Sequence, residues 1–301
     1  MRVETSLTSY SALAAYYDRL MAHIDYDAWA DFALGVLALS AAEGRRPLVL
    51  DLACGTGSIA VRLAAKGVDV IGIDASSEML AVAEGKAREQ NAPVTLSEQD
   101  LVSFELPVAA DAAVCLFDSL NYLTSVRELE AALSRAARAL RGGAPFLFDL
   151  QTEERLRRIG EETYADAEED VAYVWRSGYD ERRRICEMHL TLFAKDPVSG
   201  LFKRYDEIHY ERAHSPAEVE RALRAAGFAL ESRWETDPYE PGRPGTGRMF
   251  YLARRVEANG GDDRAARDPG APTRAYARGG GPRRRKVGAG RHDAPGVPEA
   301  P

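Results

Sequence analysis

Cysteine is scarce in this chain: Cys54, Cys115 and Cys186 are the three among 301 residues, an odd number with no metal-ligand spacing. That argues against a disulfide framework and a cysteine zinc site. Each thiol lies in an apolar stretch, so buried, reduced core cysteines are expected. Positive charge is also short. Lys and Arg total 39 against 47 Asp and Glu, a net charge of −8, whereas a general nucleic-acid surface needs a concentrated positive field. No apolar run approaches the roughly 18 residues of a membrane span. The stretch "MRVETSLTSYSALAAYYDRL" lacks the basic start and unbroken apolar centre of a signal peptide. A cytoplasmic protein without a membrane or nucleic-acid partner is the expectation. The 46% hydrophobic and 29% charged residues are an ordinary globular composition. The length suits one large α/β domain, or a domain with an appendage.

From Pro47 onward, short apolar runs alternate with helical stretches. "LVLDLA", "VDVIGID", "VTLSEQD", "AAVCLF" and "PFLFDL" read as strands. "SSEMLAVAEGKAREQ" reads as a helix with serines at its cap and Glu78 in its first turn. "SVRELEAALSRAARALR" is a second helix, for which Gly142-Gly143 offers a left-handed C-cap. Five continuous apolar strands alternating with helices predict a parallel, doubly wound sheet covered on both faces.

The pattern changes after Leu150. Residues 151 to 168 are rich in charge, and "VAYVWRSGYD", "RRICEMHLTLFAKD" and "GLFKRYDEIHYER" then read as a small antiparallel meander. In the second of these, Cys186, Met188, Leu190 and Leu192 alternate with polar residues, the period of a half-exposed strand. "SPAEVERALRAAGF" is a helix capped by Ser215, followed by two final strands. The expected organisation is an N-terminal helical cap (1–46), a cofactor-binding core (47–150), an antiparallel β insertion as lid (151–213), completion of the sheet (214–257) and a disordered tail (258–301). The tail's "RRRK" at 283–286 belongs to a low-complexity segment without apolar periodicity. Tyr10, Leu13, Tyr17, Leu20, Met21 and Ile24 form one stripe at helical spacing. It suits a core-facing helix and equally one that closes a ligand cleft.

The first strand runs into Gly55-Thr56-Gly57, with Ala60 in the place of a third glycine. The next strand ends in Asp74, nineteen residues after Gly55. This is a nucleoside-binding arrangement: close backbone approach, a helix N-terminus, and an acid for two ribose hydroxyls. Asp51 bears on the choice of ligand. A pyrophosphate beside that carboxylate would be repelled by on the order of several kcal/mol in a cleft. A ligand carrying an ammonium and a sulfonium would be attracted, and S-adenosylmethionine has both. A plain turn cap is the other role open to Asp51.

"LDLACGTG", "GIDASSEML", "EQDL" and "CLFDSLNYL", preceded by "YYDRLM" and "YDAWA", resemble class I S-adenosylmethionine-dependent methyltransferases, and among them a bacterial small-molecule-type subfamily. The resemblance runs from about Tyr10 to Arg255. It implies seven strands with the last antiparallel. It further implies Gly55 and Gly57 against the methionine part of the cofactor, with Ala53 in the same turn. Asp74 would take the ribose, beside Ala75, with Met79 near the adenine. Asp100 would accept from the adenine amino group and Leu101 would contact the ring. Asp118 would face the methyl-transfer site, and Tyr17 would close the cleft.

Methyl transfer from a sulfonium needs alignment and exclusion of water, worth about 7–11 kcal/mol when reacting atoms are held close. A base is needed only where the nucleophile must lose a proton. "DSLNY" (118–122) stands where the nucleophile is oriented and is not the Asn/Asp-Pro-Pro-Tyr motif of base methylation. Tyr122 is therefore a candidate substrate contact. Asp118 and Asn121 lack a further carboxylate at matching spacing, so no metal is expected. His209, in the row Tyr205, Glu207, His209 and Glu211, is the candidate base, imidazole being the side chain that changes charge near neutral pH. That row can face solvent or the cleft. The expected activity is methyl transfer to N, O or C of a small molecule, with oligomeric state open. Two alternatives remain: an NAD-dependent oxidoreductase, which Asp51 disfavours, and an RNA-associated or non-catalytic cofactor-binding module.

Overall fold

The computed structural model describes residues 3–5, 10, 13–39, 45–196, 198–237, 239–241 and 243–257. The expected disordered tail, with its RRRK, lies outside them. In chain order the elements are β1 (Val3–Thr5), α1 (Ala14–Leu20), α2 (Tyr26–Leu37), β2 (Leu48–Leu52), α3 (Ser58–Ala65), β3 (Asp69–Asp74), α4 (Ser77–Gln90), β4 (Val94–Glu98) and β5 (Ala112–Cys115). A 3₁₀ turn (Ser119–Tyr122) follows, then α5 (Val126–Ala139), β6 (Pro145–Gln151), α6 (Glu153–Glu161), β7 (Thr163–Ala167) and β8 (Val171–Asp180). The series closes with β9 (Ile185–Lys195), β10 (Phe202–Arg212), α7 (Pro216–Ala226), β11 (Phe228–Thr236) and β12 (Arg248–Arg255).

Seven strands form the main sheet in the order β11-β12-β6-β5-β2-β3-β4. Pairing is parallel throughout β6-β5-β2-β3-β4, while β12 runs antiparallel to both β6 and β11. This is the doubly wound sheet with its last strand antiparallel. The central strands are apolar on both sides because helices cover both faces. Leu129, Leu133, Val219 and Leu223 of α5 and α7 pack on one, and Trp29, Ala33 and Leu63 of α2 and α3 on the other. Helix starts follow the capping chemistry. Ser76 Oγ accepts from Met79 N at 3.1 Å, and reciprocal Ser–Glu boxes open α5 (Ser125, Glu128) and α7 (Ser215, Glu218). Cys54, Cys115 and Cys186 are buried free thiols.

Three expectations need correcting. Helix α5 stops at Ala139 and does not reach the glycines, because Leu140 leaves it in extended conformation to bridge Ala110. The N-terminal stripe is not one helix. Tyr10 has a left-handed φ of 66° and α1 spans only Ala14–Leu20, so Tyr17 and Leu20 lie on the helix, Tyr10 and Leu13 precede it, and Met21 and Ile24 fall in the turn before α2. The charged segment after Leu150 holds a helix, α6, whose Leu156 and Ile159 pack on Cys186 and Met188 of β9.

The inserted strands belong to a second sheet of order β1-β10-β9-β8-β7. Its insertion-borne strands pair antiparallel, and β1 from the start of the chain joins β10 in parallel. On β9 the expected alternation holds, with Cys186, Met188, Leu190 and Leu192 buried. On β10 the face bearing Glu207, His209 and Glu211 is also buried. The row points inward, not to solvent.

Candidate functional site

The strand order reverses between β2 and β5, and in open α/β sheets the crevice at that point, beyond the carboxyl ends of the strands, receives ligands. Leaving β2, the chain takes left-handed conformations at Ala53 (φ 55°), Gly55 (φ 53°) and Gly57 (φ 72°). Such alternation turns successive N–H groups into a concave cradle. A Cβ at Gly57 would lie 2.9 Å from Ala83 Cβ, so glycine is required there for α3 to approach α4. A Cβ at Gly55 would meet nothing within 4 Å. That open space belongs to the cleft.

Asp74, ending β3, ties this turn to the next loop. Its Oδ2 accepts from Gly55 N at 2.8 Å and its Oδ1 from Ser76 N at 2.9 Å, which leaves each oxygen a second lone pair. Burial raises its pKa and these backbone donors oppose the rise. Asp51, on β2, is 3% exposed and its Oδ2 has no hydrogen-bond partner. Burial, reinforced by the charge of Asp74, pushes its pKa from 3.8 to about 8.

The cleft has a volume of about 620 Å³. Of the expected site residues, Tyr17, Ala53, Gly55, Asp74, Ala75, Met79, Asp100, Leu101 and Tyr122 line it. Tyr26 and Phe117, which sequence reasoning left out of the site, line it too, as does Tyr10 from the stripe that suited either a core-facing or a cleft-closing helix. Asp51, Gly57, Asp118 and His209 are absent from its lining. Helix α1 is held over the glycine turn by Asp18, which accepts from Thr56 Oγ1 at 2.6 Å and pairs with Lys86 at 2.7 Å.

Beyond β5, Phe117 (φ 61°) and Asp118 (φ 53°) are consecutive non-glycine residues in the left-handed region, a conformation that persists only where the surroundings enforce it. Asp149 enforces it. Its two carboxylate oxygens accept from Phe117 N (2.9 Å) and Asp118 N (2.8 Å), and Arg248 braces it from β12. The Asp118 carboxylate accepts from Arg248 Nη1 (2.9 Å) and Gln151 Nε2 (3.2 Å). Burial lifts Asp149 to about 6, against the lowering by Arg248.

The 3₁₀ turn then presents Tyr122 to β10. Tyr122 OH lies 2.6 Å from Tyr10 OH and 3.1 Å from His209 Nδ1, while His209 Nε2 lies 3.2 Å from Glu207 Oε2. A carboxylate only accepts, so in the neutral ring Nε2 carries the hydrogen toward Glu207, Tyr122 donates to Nδ1, and Tyr10 donates to Tyr122. Glu207 also accepts from Tyr10 N (2.8 Å) and Leu13 N (3.1 Å). The Trp175 ring lies 5.2 Å from the imidazole, centroid to centroid, and helps fix its plane. Burial drives the phenols of Tyr10 and Tyr122 upward. Both therefore stay protonated near neutral pH.

The protein YqeM of Bacillus subtilis (strain 168), which carries a methyltransferase name, is 34% identical over 225 residues, covering 73% of this chain and 87% of its own. The chain belongs to the S-adenosylmethionine-dependent class I methyltransferases. A methyltransferase-domain family matches residues 49–143 of it. The crystal structure of an S-adenosylmethionine-dependent methyltransferase from Clostridium acetobutylicum ATCC 824 superposes on the enzyme with a TM-score of 0.70 at 27% identity, over 83% of this chain and all of that one. A dTDP-3-amino-3,4,6-trideoxy-α-D-glucopyranose N,N-dimethyltransferase of Streptomyces venezuelae is 29% identical over 198 residues, 61% of this chain and 76% of its own. The enzyme's cofactor is S-adenosylmethionine, which sets aside the nicotinamide alternative. The geometry fits that cofactor. The unpartnered carboxylate oxygen of Asp51 behind the glycine turn suits an ammonium and a sulfonium and would repel a phosphate. Among the described residues no helix is long and apolar enough to cross a membrane.

Asp51 carries a test of its own. A carboxyl whose pKa rises on folding contributes stability below its unfolded value of 3.8 and loses it progressively as pH climbs to about 8. The cofactor-free Asp51→Asn variant should therefore gain on wild type in melting temperature across that interval and hold a constant advantage above it. It should also bind S-adenosylmethionine more weakly. A stability difference that does not vary with pH would contradict this account.

Proposed function

We propose that the enzyme methylates a small molecule at a nucleophile that must shed a proton, and that the Tyr10–Tyr122–His209–Glu207 chain removes it. Asp51, Ala53, Gly55 and Gly57 would hold the methionine end of the cofactor. Asp74 would take the ribose, beside Ala75, and Met79, Asp100 and Leu101 would take the adenine. Tyr17 closes the cleft above them, and Asp118 borders the acceptor side. When bound, S-adenosylmethionine supplies an electrophilic methyl group on a sulfonium whose departing thioether needs no proton.

The chain's own residues do the rest. The nucleophile loses its proton to a tyrosine oxygen as the tyrosine hydroxyl hydrogens move one place along, and His209 Nδ1 receives the last of them. The resulting imidazolium is stabilised by Glu207 at Nε2. The 151–213 segment serves as the wall of the acceptor chamber and excludes water. The observation that carries this reading is the burial of His209 within hydrogen-bond reach of a cleft-lining tyrosine. The Streptomyces relative acts on an amino sugar, which supports a nitrogen acceptor on a small polar molecule. The test is incubation with methyl-labelled S-adenosylmethionine and a metabolite extract. One small molecule should gain the labelled methyl as S-adenosylhomocysteine accumulates. S-adenosylhomocysteine formation no faster than with heat-inactivated enzyme would overturn the reading.

A further inference from the structure

The inward face of β10 carries a second acid, outside the relay. Glu211 is 4% exposed, two positions from His209, and its Oε2 has no hydrogen-bond partner. Gln151, at the end of β6, is in the same condition. Its Nε2 donates to Asp118 Oδ2. Because a carboxylate can only accept, the amide orientation is fixed. Its Oε1 is left buried without a donor.

The strands that carry these two acceptors meet at Asn121. The buried side chain of Asn121 binds both strands: Nδ2 donates to Arg212 O (3.0 Å) and Gln151 O (3.3 Å), and Oδ1 accepts from Gln151 N (2.9 Å). Burial holds the Glu211 carboxyl well above its ordinary range, with the charges of Asp118 and Asp149 adding to the rise and Arg248 opposing it, so three acidic side chains share one guanidinium here. The hydroxyls of Tyr10 and Tyr122, both on the cleft wall, lie within the field of Glu211. Cys186, its cross-strand neighbour on β9, does so as well.

Buried acceptors without donors are costly, and a buried acid in such company ionises only beside a positive charge. One kind of group relieves both. An ammonium brings three N–H donors and a positive charge. A hydroxyl brings one donor and no charge, and a carboxylate or phosphate brings the wrong sign.

We propose that Glu211, Gln151 and Asp118 form a subsite for the amino group of the methyl acceptor, which is an amine that arrives as its ammonium ion. This deepens the methyl-transfer reading and rests on it. The ammonium gives one proton to the tyrosine–histidine chain and becomes the neutral amine. The freed lone pair then forms the N–C bond while the C–S electron pair stays on sulfur. The products are a methylated ammonium, a thioether and protonated His209, and the charges balance.

The test uses the full-length protein saturated with S-adenosylhomocysteine. It is titrated near neutral pH with three probes sharing one ring: cyclohexylamine, cyclohexanol and cyclohexanecarboxylic acid. The amine should bind at least about tenfold more tightly than either of the others. Glu211→Gln, near-isosteric and uncharged, should abolish that preference, leave S-adenosylhomocysteine affinity unchanged and melt no lower than wild type. Gln151→Leu, which removes the second acceptor by a different route, should weaken amine binding as well. Equal affinities for the three probes, including no binding by any of them, would overturn the proposal. So would an amine preference that survives both substitutions. Failure of S-adenosylhomocysteine itself to bind would instead strike the methyl-transfer reading, so the two failures are distinguishable.

Discussion

His209→Ala is expected to lower turnover by about 10²- to 10⁴-fold, the range a positioned base contributes, while calorimetric affinity for S-adenosylmethionine stays at the wild-type value. The separation follows from placement. His209 does not line the cleft and meets it only through the Tyr122 hydroxyl. Tyr122→Phe interrupts the same path one atom earlier and should cost a similar factor. Residues that act as a unit are not additive, so the double variant should be little worse than either single one. Wild-type turnover in His209→Ala, or losses that simply multiply in the double variant, would remove His209 from the proton path.

Asp74→Ala should weaken S-adenosylmethionine binding by about 2–4 kcal/mol, as two charge-assisted hydrogen bonds disappear together. The structure adds a second consequence. The N–H groups of Gly55 and Ser76 both lose their acceptor, so the glycine turn and the start of α4 come apart from each other. Asp74→Asn keeps one acceptor oxygen and the shape, and should fall between wild type and alanine in both affinity and melting temperature. An unaltered dissociation constant in the alanine variant would show that the ribose is held elsewhere.

The cofactor half of the molecule could be read from the sequence because its determinants are local. Strand, glycine turn, helix and the acid that closes the next strand follow one another between Val49 and Asp74. The five parallel strands were legible for a similar reason: short apolar runs alternating with helices suit a sheet buried on both faces. The acceptor half was not. Tyr10 looked like one member of a helical stripe. Its role comes from leaving the helix, with its N–H on Glu207 and its hydroxyl on Tyr122. Asp149 gave a faint signal, an acid within the apolar run "PFLFDL". Nothing near it in sequence pointed to Phe117 and Asp118, whose backbone it holds, or to Arg248, a cation opening an apolar strand. The row on β10 was legible as chemistry but not as direction, since a period of two fixes which residues share a face and not which way that face looks.

The hydrogen bond from Tyr10 N to Glu207 spans 197 residues, and that separation has a consequence for assembly. During synthesis, the β2–α3–β3 unit with its glycine turn and Asp74 is complete while most of the chain is still to come. The N-terminal residues must then wait for β10 before Glu207 exists to receive them, and the loop so closed is among the longest the fold contains. Loop-closure entropy is met before such a contact is rewarded. The Tyr10–Tyr122–His209 junction is therefore a late product of folding, closed beside a glycine turn whose own contacts are short in sequence.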